Sequence, residues 1–558
     1  MRKVYWLFSN RKMWAAAGVA LCALAAVSLD PPDIALAAAG TGNATGAAGF
    51  GSANASTNMT DLTSQGALSI AVSGVPDSTF AQEEKPYQGD VTQTSAWHGF
   101  SHQGSRTITL TFKSPVDVQS VQIQALQNFS LGVYFPSYVE FQFEQNGQWY
   151  TAGQRPSAVP QSDQNVMTQT FAWSSAAGIE ASAVRLIIPV DVWVFVNGFD
   201  VQGSTTARGL AASTLAKVTS TSGKPLGPLL PSAANAAGIR NMLLVQTGAN
   251  GSQGTWSVQD FEPMLAYVTE SGQMTKPLFD TMLFLPYGSV KDTEQGLSNY
   301  LQDLFATGKQ LSALNEAVGI VNQALHRPGY QEKVVLSLPY FAYGNIDFGD
   351  IGGQDVKFGG TSGDPNGLQS REAAETWYVN RLLTDWKKAD FKNLKLVGLY
   401  WNEEQYRQTM PGEARYIQYA SSLAKANALP LFWIPYYGAG GIWHWQSLGF
   451  TAAWIQPNYV EQGQQADLAR MINATETASE LGLGVEVELT GIDAAHQAVY
   501  DSSLAQLSAD GYGTNQASHA YYDGSKLLLT SERSQGSERI AYDTTASFIA
   551  GVGIHGGA

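Results

Sequence analysis

The 558-residue chain contains one cysteine, Cys22, which lies inside an N-terminal apolar stretch. The remainder has no thiol, which excludes disulfides, thiolate metal sites and a cysteine nucleophile. Basic charge is also scarce: 32 Lys and Arg stand against 47 Asp and Glu, giving a formal net charge of −15. No Lys/Arg cluster occurs beyond the first dozen residues. That argues against nucleic acid, because phosphate binding draws on clustered cations. The seven histidines form no recognisable zinc motif. A Gly-x-Ser-x-Gly elbow is missing as well, which argues against esterase chemistry. After the N-terminus no apolar run is long enough to span a membrane.

What the chain does have begins with an export signal over 1–39. Arg2, Lys3, Arg11 and Lys12 form a basic region, AAAGVALCALAAVSL an apolar core, and IALAAAG small residues at a spacing a signal peptidase accepts. An uncleaved anchor is the alternative; the short apolar run and the small residues favour cleavage, hence a secreted, extracellular protein. Residues 40–60 are Gly, Ala, Ser, Thr and Asn, a flexible lead-in. An apolar content of 44% suffices to bury cores in the rest, and the length calls for more than one domain.

From 61 to 203 short strands alternate with period two: RTITLTF, VQSVQIQAL, YVEFQFEQNGQWY, AVRLIIPV and VWVFVNGFDVQG. Asn146-Gly147 reads as a hairpin turn. Strands without helices predict an all-β jelly-roll sandwich. YQGDVTQTSAWHGF, GVYFPSYVEFQFEQNGQWY and VRLIIPVDVWVFVNGFDVQG make this segment resemble the galactose-binding-like, discoidin-type modules beside secreted carbohydrate enzymes. The resemblance implies a structural calcium ion near Asp90 and Asp200. It also implies glycan contacts from Trp97, His98 and Tyr134, although Tyr134 and Phe135 fit a packing role equally. Residues 204–236, rich in Ser, Thr, Ala, Gly and Pro, read as a linker.

From 237 to 556 apolar strands alternate with helical segments. MLLVQTG, TMLFLPYG, VVLSLPYF, LKLVGLYWNEE, PLFWIPYYG, AAWIQPNY, GVEVELTG and ASHAYY supply the eight strands of a (β/α)8 TIM barrel. A doubly wound sheet is the alternative, weakened by the lack of a Gly-rich phosphate loop after the first strand.

Barrel chemistry sits at the C-terminal ends of the strands. Those ends carry Tyr287, Tyr340, Trp401-Asn402-Glu403-Glu404, Tyr436-Tyr437, Asn458-Tyr459 and Glu486-Val487-Glu488, with Trp443 and Trp445 in the loop after strand five. Aromatics that stack on sugar rings, with amides and carboxylates for the hydroxyls, describe a glycan cleft. In VEVEL the apolar residues face the helices, which turns Glu486 and Glu488 into the barrel. Buried carboxylates need a partner or a task. Glycoside hydrolysis needs two carboxyls, one to protonate the leaving oxygen and one to attack or to activate water.

The placement resembles the clan of retaining glycosidases whose acid/base follows an Asn at the end of strand four and whose nucleophile ends strand seven. On that resemblance Glu403 is the acid/base, Asn402 the ligand of the sugar 2-hydroxyl, Glu488 the nucleophile and Tyr459 its orienting partner. Glu404 competes with Glu403 for the acid role, and Glu486 pairs below Glu488. GLYWNEEQY, WIPYYGA and WIQPNY resemble the secreted bacterial family DUF4855, which itself implies no activity. The expectation is a monomeric secreted glycoside hydrolase acting on a poly- or oligosaccharide. It needs no catalytic cofactor, nucleic-acid partner or membrane contact after signal cleavage. The rivals are a non-catalytic glycan-binding barrel and a cell-envelope or spore-associated structural protein.

Overall fold

The computed structural model describes residues 59–159, 163, 165–218, 225–248, 251–286, 290–524 and 526–552. The signal at 1–39 with Cys22, the lead-in up to residue 58, and Tyr287 lie outside them. The chain divides into two compact units with the boundary between Gly223 and Lys224.

The first unit is an antiparallel sandwich. Two 23-residue strands, Ser105–Gln127 and Met167–Pro189, pair along most of their length. Register shifts at Thr111/Val116 and Val118/Ser120 bend the first of them. Its early half adjoins Gly66–Val72 and its later half adjoins Trp193–Ser204, so one strand serves both layers. Ile108, Leu110, Val121, Ile123, Phe141, Phe143, Val184, Leu186 and Val201 fill the space between. The turn expected at Asn146-Gly147 has φ of 54° and 78°, the pair of positive angles that a two-residue hairpin with the strand's own twist requires. The stretch expected as linker contributes further structure. Leu210–Ala211 and Ala216–Lys217 are short strands of the sandwich sheet.

The second unit is a closed ring of eight parallel strands. We number them β1 (Asn241–Thr247), β2 (Thr281–Pro286), β3 (Glu332–Leu338), β4 (Leu394–Trp401), β5 (Leu431–Trp433), β6 (Ala452–Ile455), β7 (Gly484–Glu488) and β8 (His519–Tyr522). The helices used below are α1 (Val258–Leu265), α2 (Glu294–Leu304), α3 (Gln310–Ala324), α4 (Leu368–Ala389), α5 (Glu413–Ala426), α6 (Leu468–Leu481), α7 (Ala494–Ala509) and α8 (Leu527–Arg533). Closure of the ring rules out the doubly wound sheet.

Inward-facing residues form one core: Met242 and Leu244 of β1, Leu283 and Leu285 of β2, Val335 of β3, Tyr400 of β4, Phe432 of β5, Ala452 and Trp454 of β6, and Ala520 and Tyr522 of β8. Leu229, Ala236 and Ile239, from the chain before β1, join this cluster. Two glycines make room for the rings in the centre. A Cβ at Gly398 would stand 2.2 Å from the Phe432 ring, and one at Gly484 would stand 2.1 Å from Trp454. Phe432 and Trp454 meet edge to face at 5.4 Å. The Gly-rich stretch after β3 is partly ordered by its own core. Its hairpin, Asp347–Ile351 with Gln354–Lys357, packs Phe348 against Phe341, Phe358 and Trp377. No helix among the described residues is long and apolar enough to cross a membrane.

Candidate functional site

The ladder fixes which side chains look inward. Glu486 pairs with Ala520 and Glu488 with Tyr522, and both partners belong to the inner core, so both carboxylates of β7 point into the barrel. They are 1% and 4% exposed. Glu488 ends the strand and lies at the rim; Glu486 lies one layer lower.

One group that touches Glu488 is not the one expected to orient it. Asn458 donates to Glu488 Oε1 at 3.3 Å, while its own Oδ1 accepts the Tyr437 N–H at 2.9 Å. Asn458 adopts φ of 50°, a left-handed conformation that Asn tolerates better than most residues, and this directs its amide across the β6–β7 gap. Tyr459, expected to orient Glu488, instead places its hydroxyl 3.3 Å from Ser502 Oγ on α7. Gln456, buried beneath Asn458, donates to the Ile434 carbonyl and accepts from Asn458.

β4, three strands from β7 round the ring, brings the second set of groups. Tyr400 is inward, and Asn402 is half-buried just beyond the strand end. Glu403 Oε2 accepts from Arg407 at 2.8 Å, one turn along the loop. Burial pushes the Glu403 carboxyl above its ordinary range, against the pull of Arg407. The backbone here is held by β5: Trp433 Nε1 donates to the Glu403 carbonyl at 2.8 Å, and the Tyr436 N–H reaches that of Glu404.

Several expected sugar contacts are packing residues. Trp401 is 0% exposed, lying edge-on to Tyr340 and Tyr416, and Trp445 is 4% exposed. Neither indole face is open to a ring. Trp401 follows inward-facing Tyr400 and so turns toward the helices, as period two demands. Tyr437 is largely buried under Arg470, whose guanidinium lies 5.1 Å from its ring centre. Trp443 and Tyr436 are half-buried, and the Tyr436 hydroxyl donates to Gln405. Tyr340 is half-buried with its hydroxyl on Glu413 Oε1 at 2.6 Å.

Sequence reasoning missed Arg407, Glu413 and Arg371, which surround Glu403 and Tyr340. Only the four-residue spacing of Glu403 and Arg407 signalled any of them.

In the sandwich, Trp97, His98 and Tyr134 are half-buried. His98 Nδ1 meets the Gly89 carbonyl at 2.8 Å and its ring packs on Phe100, while Tyr134 lies edge-on to Phe129. Half-buried Tyr87, His102 and Trp193 form a further aromatic group that sequence reasoning overlooked, with Phe195 beneath. Asp90 accepts from N and Oγ1 of Thr92, and Asp200 accepts from Gln202. Among the described residues no three His, Cys, Asp or Glu side chains gather as a metal site. The calcium reading therefore rests on the family likeness alone.

No curated protein matches the chain. Solved structures similar to parts of it include the family 32 carbohydrate-binding module of Clostridium perfringens NanJ in complex with galactose. It is 12% identical over 26% of this chain and 98% of that one, with a TM-score of 0.18. The CBM22-1–GH10 modules of Clostridium thermocellum endo-1,4-β-D-xylanase 10B, complexed with xylohexaose, are 9% identical over 77% of this chain and 88% of that one, with a TM-score of 0.30. A Ruminococcus gnavus GH29 fucosidase in complex with fucose is 11% identical over 26% of each chain, with a TM-score of 0.18. At these scores the site is read from this chain's own residues. Residues 241–547, more than half of the chain and nearly all of the barrel, match the model of the Domain of unknown function (DUF4855), and the chain belongs to that family.

Proposed function

We propose that the barrel is a glycoside hydrolase, exported from the cell and acting as a monomer on a poly- or oligosaccharide. The observation that carries the reading is the inward, rim-level placement of Glu488, held by Asn458, in a mouth to which β4 delivers Asn402 and Glu403. Glu403 is the proton donor to the leaving oxygen, a role its raised pKa suits, since a general acid must hold its proton near working pH. Glu488 attacks the anomeric carbon, or activates a water, from the opposite side. Asn402 binds the sugar hydroxyl next to the reacting carbon. Glu404 is the alternative acid, and Glu486 supports Glu488 from the layer below. Half-buried Tyr436 and Trp443 are aromatics that stack on the sugar. In the sandwich, Trp97, Tyr134 and the Tyr87–Trp193 group make an accessory glycan surface.

The test is a glycan panel read by reducing-end formation, with Glu403, Glu404, Glu486 and Glu488 each changed to Gln. Glu403→Gln and Glu488→Gln should each lower turnover by about 10²-fold or more while binding persists. Parent-like rates in all four variants refute the assignment. The anomer released, followed by NMR, tells retention from inversion.

One observation favours a second reading, a glycan-binding barrel without turnover. Arg407 pairs directly with Glu403, and a carboxylate held in an ion pair is a poorer proton donor. In that case the panel yields binding without reducing ends.

A further inference from the structure

Arg407 is the cation beside the proposed acid, and most of its guanidinium is unspent. It donates to Glu403 Oε2 from Nη2 at 2.8 Å, a single contact where a guanidinium fork can give a carboxylate two parallel bonds. A guanidinium presents five N–H donors. Among the described residues no other acceptor meets this one, and its Nε is buried without a partner. The side chain is 23% exposed, so the end beyond Nε is the part open to the mouth.

The surroundings hold Arg407 in place without using up its donors. The other carboxylate of this neighbourhood, Glu413, is committed elsewhere: the Tyr340 hydroxyl donates to its Oε1 at 2.6 Å and Arg371 to its Oε2 at 3.2 Å. Tyr340 instead offers Arg407 its ring, whose centre lies 5.2 Å from the guanidinium carbon. The backbone is fixed on both sides. The Tyr406 N–H donates to the Gly440 carbonyl at 2.8 Å, tying the loop after β4 to the loop after β5, and the Arg407 carbonyl accepts from Met410 at 2.9 Å. Gly441 permits that approach, since a Cβ there would stand 2.5 Å from the Tyr406 Cβ. A charged donor that is largely desolvated and unmatched is costly unless an acceptor arrives, and the planar fork of arginine suits an oxyanion better than any other side chain does.

We propose that Arg407 is a specificity-determining residue that binds an oxyanion substituent of the sugar on the leaving side of the scissile bond, so that the substrate is an acidic glycan. The proposal rests on the reading of Glu403 as the acid. That acid must lie against the leaving oxygen, and Arg407 is hydrogen-bonded to it, so whatever the guanidinium binds belongs to the sugar next to that oxygen. A uronate carboxylate and a sulfate ester share the required chemistry. The formal net charge of −15 repels an acidic polymer only at long range. Exposed charges beyond about 8 Å are screened at physiological salt, which leaves the local cation to decide the contact.

The test is calorimetric binding and turnover of the full chain with matched polymer pairs. Polygalacturonate, alginate and hyaluronan are each set against their carboxyl-reduced neutral forms, and carrageenan against its desulfated form. At least one acidic member should bind about tenfold or more tightly than its neutral form, and the pair in which it does so tells carboxylate from sulfate. Arg407→Gln should bring the two members of that pair together. Arg407→Lys keeps the charge but not the fork, so it should lower the preference in part, and it decides the matter if Arg407→Gln does not fold. Reading the ratio within a pair cancels any general loss from disturbing Glu403. A parent without preference for any acidic member, including one that binds none of them, overturns the proposal, as does a ratio that stays put in the folded variants. Glu403→Gln separates the two readings. A preference lost in Arg407→Gln, with turnover intact in Glu403→Gln, keeps the anion contact and sinks the acid assignment. No preference, with turnover lost in Glu403→Gln, keeps the acid and sinks the anion contact.

Discussion

Asn458 combines a left-handed backbone with two side-chain tasks, one toward β5 and one toward Glu488. Replacing it by Gly keeps the backbone comfortable and deletes only the bonds. Replacing it by Ala adds strain at positive φ. Urea unfolding should therefore place Asn458→Ala below Asn458→Gly by about 1 kcal/mol. On the proposed reading of Glu488 as nucleophile, turnover should fall in both by about 10²-fold, because a nucleophile that loses an orienting partner drifts from the attack geometry. At this scale the sequence was half legible. Strict alternation in VEVEL is enough to turn Glu486 and Glu488 inward. The partner of Glu488 is less accessible, since Asn458 and Tyr459 are adjacent and only the local backbone decides which one faces β7. The Arg371–Glu413 pair was invisible, because its members lie 42 residues apart and meet only once α4 and α5 pack together.

Among elements, β4 and β7 carry the candidate site, and each contains a glycine where a neighbouring ring needs the space. Gly398→Ala and Gly484→Ala should each destabilise the barrel by about 1–3 kcal/mol, because the blocking atoms belong to Phe432 and Trp454 in a filled interior. Phe432→Leu should recover part of the loss in Gly398→Ala, and thermal unfolding of the double variant measures it. Strand and helix placement was largely readable from periodicity. The helical segments expected between the strands are present, α5 beginning at Glu413 and α7 at Ala494, just after its capping residue Asp493. The stretch 204–236 was harder. Its Ser, Ala and Gly content masks two short strands whose pairing depends on distant partners, Ile179–Glu180 and Tyr150–Thr151.

Over the whole molecule, burial leaves several acids reluctant to ionise. Glu332 and Glu375 are raised to about 8, and Asp523, like Glu413, to about 7, desolvation being the leading cause in each. An acid with a raised folded pKa binds more protons folded than unfolded. Its contribution is complete below its unfolded pKa and is lost as pH climbs through its folded value. Stability should therefore decline between about pH 5 and pH 8, and Glu332→Gln with Glu375→Gln should flatten that slope in urea titrations. His519, buried and lowered to about 4, has the opposite sign and works against the fold as pH drops from about 6.5. The two-unit plan was legible from the change of period along the chain. How the sandwich layers are joined was not, and that joining bears on how the unit opens. Because Ser105–Gln127 and Met167–Pro189 each run through both layers, neither layer can detach without unzipping a strand the other needs. Native-state hydrogen exchange should accordingly find a single opening unit, with amides of the Gly66–Val72 side and the Trp193–Ser204 side released together rather than in sequence.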